Sequence, residues 1–224
     1  MPLSLILAAA ALAAFPPAGY TRGEVQESPK HSFRAEIYEQ EKDGFYQHSV
    51  WLVTPDGKQA EHLVGPEGLT ELYPIHIDIS PDERWIMWEQ KLYHGANALG
   101  LYERVSGIRY REIGPPIFSD AAWKFMSEQT AHSFSLPDTV HMIRVSEWPT
   151  AGTRTQSLAL TGDTETTPVT APNDHSLVIS LNGDDMQTHV DLWFCFYDLE
   201  KHRFYLDDAI RKRNKGRVGP SHER

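Results

Sequence analysis

The sequence predicts an all-β protein made of about four antiparallel units of three or four strands, interrupted by one short helical insertion. Three observations carry that expectation: alternation of apolar and polar residues, Pro- and Gly-containing turns between the alternating runs, and a spacing of runs that recurs. The clearest unit spans Ile75 to Ile113. Ile75-His76-Ile77-Asp78-Ile79 puts the isoleucines on one face of a strand and His76 and Asp78 on the other. Ser80-Pro81-Asp82-Glu83 then turns the chain, because Pro81 presets φ and the Ser and Asp side chains can hydrogen-bond nearby backbone groups. Arg84 to Glu89 is rich in the large residues that suit a pleated surface. A polar connection through Gly95 and Asn97 leads to a third strand over Leu99 to Val105, a Ser106-Gly107 turn, and a fourth strand over Ile108 to Ile113.

The other units are looser copies. Phe33 to Glu39 alternates and ends before Asp43-Gly44; Ser49 to Thr54 and Gln59 to Val64 flank Thr54-Pro55-Asp56-Gly57-Lys58, a strong hairpin signal. Val140 to Trp148 with Thr155 to Leu160 is the expected third unit, with Gly152 in its connection and Gly162-Asp163 at its turn. Ser176 to Leu181, Val190 to Tyr197 and Arg203 to Leu206 form the fourth, with Asn182-Gly183-Asp184-Asp185 expected as a loop. His31-Ser32-Phe33 matches His175-Ser176-Leu177, and a second His and a Trp follow each (His48 and Trp51, His189 and Trp193). Strand starts near 33, 84, 140 and 176 recur every roughly 48 residues, within the range of β-propeller blades. Ser119 to Met126 reads as the helical insertion, with Ala122, Phe125 and Met126 on one side. Leu206 to Lys215 reads as a second helix with acids in its first turn and bases in its last, and residues beyond Gly216 as a frayed tail.

Ile79 to Trp88, followed by Leu101-Tyr102-Glu103-Arg104-Val105-Ser106-Gly107, resembles the WD40-like repeat of Tol-type and peptidase-associated periplasmic β-propellers. That family places an SPDG turn before an apolar strand and an LY pair before a polar hairpin tip; Glu83 stands where it usually has Gly. The resemblance covers about one blade. It implies a small or incomplete β-propeller, with a two-sheet β-sandwich as the alternative, and it implies no activity, since propellers are scaffolds and enzyme domains alike.

Composition narrows the function classes. With 40% hydrophobic residues the chain can bury a core, and a net charge of −10 argues against nucleic acid, whose phosphates need a basic face. The acid is uneven: Arg211, Lys212, Arg213, Lys215 and Arg217 form a basic cluster, leaving about −15 on the rest. Leu3 to Phe15 is too short to span a bilayer but suits a signal-peptide core, although no Lys or Arg precedes Arg22. Possible cleavage sites lie at Ala11-Leu12-Ala13 and around Ala18. The expected organisation is thus a signal peptide over 1–19, a linker over 20–30, a propeller-like domain over 31–206, and a basic helix and tail over 207–224, with no transmembrane span. The single Cys195 sits mid-strand and reads as a buried thiol.

Candidate sites are sparse. His76-Ile77-Asp78 and His189-Val190-Asp191 repeat a His-x-Asp pattern that, if the fold brought the pairs together, could hold a metal or act as acid and base. As separate strand residues they are ordinary polar positions. The hydroxyls next to His31, His48, His132 and His175 point to the opposite strand face, so no Ser-His dyad is expected. Asn182 to Asp185 lacks the later Glu of a calcium loop. Tyr93, His94 and Asn97 are expected on a loop, where aromatic and polar residues equip a binding surface. No catalytic motif is present, so no catalytic residues and no cofactor are assigned. The expected function is an exported, non-catalytic binding or scaffold protein, periplasmic or secreted, contacting a protein or a glycan through its loops. The competing class is a hydrolase or metal-dependent enzyme built on the His-x-Asp pairs, and a third is an accessory whose basic cluster docks on an acidic partner.

Overall fold

A computed structural model describes residues 15–65, 73–93, 95–114, 117–137, 139–149, 157–158 and 168–221. The fold is all-β. Four strands, β1 (Thr21–Glu27), β2 (Arg34–Lys42), β3 (Phe45–Val53) and β4 (Ala60–Val64), form one antiparallel meander. A second follows in β5 (Ile75–Ile79), β6 (Trp85–Tyr93), β7 (Ala96–Ser106) and β8 (Arg109–Ile113). After helix α1 (Phe118–Thr130), a third meander pairs β9 (Val140–Val145), β12 (Ser176–Asp184), β13 (Thr188–Asp198) and β14 (Arg203–Tyr205) in that order. The short pair β10 (Ser157–Leu158) and β11 (Val169–Thr170) lies in the β9–β12 connection. Helix α2 (Asp208–Arg213) and β15 (Val218–Pro220), which pairs with β13, are the last elements among the described residues. Among the described residues no helix is long and apolar enough to cross a membrane.

The meanders pack through their apolar faces because their strands alternate, and the second and third are also joined into one sheet where Ala96 of β7 pairs His141 of β9. Ala35, Ile37, Val50 and Leu52 of the first meet Ile77, Ile86, Trp88 and Tyr102 of the second in one core. The opposite face of the second, with Trp85, Met87, Leu99 and Leu101, packs with Phe118, Ala122, Trp123 and Met126 of α1 against Ile179, Leu181, Trp193 and Cys195 of the third. The outer face of the third, with Val178, Phe194 and Phe196, is covered by Val169, Ala171 and Ile210. Such layers satisfy either an open stack of blades or a sandwich of sheets.

A serine directly follows each meander's first strand. Ser28, Ser80 and Ser146 are buried, and their amides donate to the carbonyls of Phe33, Trp85 and Val178 at 3.0, 3.0 and 2.9 Å. Each hydroxyl accepts the amide of the same partner in return, at 3.2, 2.9 and 3.1 Å. Thr54 repeats the exchange with Gln59 between β3 and β4. In the first two meanders the turn also carries a residue at positive φ three places on, His31 at 56° and Glu83 at 60°, as Gly57 does at 70°.

Several expectations are corrected. The 20–30 linker contains β1, and the expected frayed tail contains β15. The expected third and fourth units supply strands to a single meander: Val140–Val145 pairs with β12, while Ser157–Leu158 pairs with β11. Gly152, Thr155, Gly162 and Asp163 lie outside the described residues. The Asn182 to Asp185 stretch is mostly strand, because β12 runs on to Asp184 to meet β9. Helix α1 begins at Phe118 on an Ile117 cap without a side-chain bond, so Ser119 is not the cap.

Candidate functional site

The His-x-Asp pairs are held separately. Their strands β5 and β13 have β6, β7, β9 and β12 between them in the sheet. His76 is exposed on β5 opposite Glu89. Asp78 is half-buried; burial pushes its carboxyl up, against the opposing influence of the Trp148 indole and His76. His189 Nδ1 sits 3.2 Å from Asp184, and Asp191 accepts from the Arg217 guanidinium at 2.8 Å. His189 and Asp191 are thus committed to β12 and to the C-terminal segment, and Asp78 faces Trp148 beyond β9, away from both. Among the described residues no group of three His, Cys, Asp or Glu side chains is placed to hold a metal ion.

The loop expectation for Tyr93 and Asn97 is also corrected. Strands β6 and β7 run past the expected connection, so both residues are in strands. Asn97 is buried: its Nδ2 donates to the Ile143 carbonyl at 2.8 Å and its Oδ1 accepts the Ile143 amide at 2.8 Å, with Glu89 taking the second Nδ2 hydrogen at 2.7 Å. The side-chain amide copies a peptide group and ties β7 to β9 where only Ala96 and His141 pair. The Tyr93 hydroxyl donates to the Thr139 carbonyl, and its ring lies edge-on to His141. These residues join the second and third meanders. His94 lies outside the described residues.

The arrangement best suited to hold a ligand is a cleft beside α2. It encloses about 600 Å³ between α2, β11 and β13. Val169, Phe196 and Ile210 form its apolar floor; Lys212, Arg213 and Arg217 supply positive charge, and Asp207 stands at the start of the helix. The local sequence explains the placement. Asp207 caps α2 by accepting the Ile210 amide at 2.7 Å. That cap fixes the helix start and turns Ile210 inward. Asn214 then clamps the other end to β13, donating to the Phe194 carbonyl at 2.8 Å and accepting its amide at 3.0 Å. Arg213 lies 5.0 Å from the Phe194 ring centroid, and Arg217 is oriented by Asp191. Guanidinium groups over an apolar floor suit a carboxylate attached to an apolar body.

Sequence reasoning found the basic cluster but not the floor, because Val169, Phe196 and Ile210 come from three separate elements. A second cleft of about 570 Å³, near Phe134 and Met186, is less well equipped. Its acids are already occupied: Asp185 accepts the amides of Ser135, Gln187 and Thr188, and Asp184 those of Met186 and the Ser221 hydroxyl. No model of a known protein family matches the sequence, and no curated protein matches it.

Proposed function

We propose that this chain is an exported, non-catalytic binding or scaffold protein, an incomplete β-propeller of three units whose α2 cleft holds an acidic segment of a partner protein. The carrying observation is the cleft itself: cations gathered over an apolar floor in a molecule whose net charge is −10. Its volume lies within the range of ligand pockets. A neutral glycan offers the cleft's cations no charge to meet, whereas an acidic segment does. The recurrence of Ser28, Ser80 and Ser146 supports the propeller reading, because stacked blades repeat their turns as well as their strands. The apolar run from Leu3 to Phe15 supports export. The WD40-like resemblance around Ser80 fits the same picture.

The test uses a synthetic peptide alternating Glu and Leu, its Lys-Leu counterpart, and a sulfated glycan, each titrated by fluorescence anisotropy. The expected outcome is binding of the acidic peptide alone, weakened at raised ionic strength and by about tenfold in Lys212→Glu, the effect of one lost rim charge pair. Binding of the acidic peptide unchanged by Lys212→Glu and by Arg213→Gln removes the cleft from the proposal. Preference for the glycan replaces the partner class.

A further inference from the structure

The first meander is the end of the stack, and its outer face carries an apolar cluster beside the Arg34–Glu36 ion pair. Tyr38, Trp51 and Val53 form that cluster and are nonetheless buried, at 5, 3 and 0% exposure. What covers them is the segment before β1. The Phe15 ring lies 5.3 Å from the Trp51 ring and 5.8 Å from Tyr38, the latter edge-on, and Tyr20 and Ala60 complete the cluster. The Tyr20 amide donates to the Pro17 carbonyl at 3.3 Å, bending the segment back over the sheet. Phe15 therefore serves the folded domain, although the sequence places it at the edge of the apolar leader.

We infer that the leader is removed between Ala13 and Ala14, leaving Phe15 on the mature protein; this rests on the export reading above. Two independent arguments select that bond over one after Ala18. A cut after Ala18 discards Phe15 and exposes the Trp51 and Tyr38 rings that it covers. It also puts Pro16 three residues before the cut end, where a leader peptidase requires a small side chain; a cut after Ala13 puts Ala11 there and Ala13 at the end itself. Leu3 to Ala10 then remains as the apolar core of the leader, within the usual length. In the reaction, water adds across the Ala13–Ala14 amide under a leader peptidase: the C–N bond breaks, Ala13 leaves with a carboxylate and Ala14 gains the ammonium terminus.

The experiment is expression of the full chain in a bacterial host, with intact mass and N-terminal sequencing of the exported protein. The expected product begins at Ala14. A product beginning at Gly19, or anywhere beyond Phe15, overturns the inference, as does an exported chain that still begins at Met1. A chain that keeps Met1 and stays inside the cell overturns the export reading instead. A second measurement compares chains 14–224 and 19–224 made without the leader. The shorter is expected to melt lower, with Trp51 emission shifted to the red; identical melting and emission overturn the packing argument.

Discussion

The two junctions between meanders solve the same problem with different chemistry. Between the first and second, the central group is a buried carboxylate. Glu83 Oε1 accepts the Lys30 amide at 2.8 Å and lies 3.5 Å from that of Ser32; Oε2 takes the Ser32 hydroxyl and lies 3.2 Å from Arg104. Arg104 in turn lies over the Phe33 ring, and the Tyr110 hydroxyl donates to the Glu83 carbonyl. Between the second and third, the central polar group is the neutral amide of Asn97, and the bulk of the junction is the aromatic wedge of α1, where Trp123 stacks on Phe134 at 4.3 Å. The lesson is that a buried charge can join two sheets when donors surround it, but it makes the joint depend on pH and on one backbone conformation. Burial alone would raise the Glu83 pKa; hydrogen bonds from Ser28, Ser32 and the amides of Lys30 and Ser32 outweigh it and hold it at about 2. The same residue occupies a positive φ of 60° that costs about 1–2 kcal/mol for a side chain other than Gly.

The largest way to break the comparison is Trp123→Ala, which removes the wedge and should cost about 3–5 kcal/mol by urea denaturation. An equal loss from a surface position such as Lys58→Ala would show that the wedge carries no special share. Next is Glu83→Ala, expected to cost about 3 kcal/mol because Arg104 and the surrounding donors lose their carboxylate. Glu83→Gly should be less damaging than Glu83→Ala by about 1 kcal/mol, since Gly relieves the backbone strain; the reverse order would remove strain from the account.

Acid should sharpen the distinction. The Glu83 pKa is depressed from 4.5, so its contribution, no more than about 3 kcal/mol, is present above pH 4.5 and lost as pH falls towards 2. Glu83→Gln should abolish that segment of the pH–stability curve. At the second junction burial lowers the His141 pKa from 6.5, against the Thr139 carbonyl and Asp120, so stability present above pH 6.5 declines on acidification. Asp120 has the opposite sign: burial raises its carboxyl, and its contribution is present at low pH and fades as pH rises. His141→Gln should therefore flatten the curve near neutrality and leave the Glu83 segment in place. Smaller again is Asn97→Ala, about 1–3 kcal/mol from the Ile143 amide and carbonyl left without their partner. The smallest effect needs no mutation. Burial pushes the Cys195 thiol up, and it sits in the second core, so its alkylation should report opening of that junction and be unaffected by Glu83→Gln at neutral pH.

What the sequence made legible was local. Alternation placed Ile75, Ile77 and Ile79 in the core, and Ser80 and Asp82 cap their turn as their chemistry requires, the hydroxyl bonding the carboxylate at 2.6 Å. Glu83 was visible as a departure from Gly, but its partners lie in a turn more than 50 residues away and only the fold supplies them. Asn97 read as loop because its composition is that of a loop; a strand accepts it only because its amide stands in for a missing ladder partner. The shared role of Ser28, Ser80 and Ser146 escaped notice because serine is common and each one's partner defines it. The third meander was misassigned because neighbouring strands were expected to pair, and β9 skips to β12. The cleft showed half of itself, as the 211–217 basic cluster.

That skip sets an order of events in time. The β2–β3 and β6–β7 hairpins close over two residues, whereas the β9–β12 ladder must first close a connection of 30 residues, from 146 to 175. The entropic cost of that closure is roughly 2 kcal/mol greater. The contiguous β12–β13 hairpin has no such burden, so refolding should form it early and recruit β9 late, with Asn97 waiting on the far side for the strand it clasps. Until then, one edge of β12 stands open.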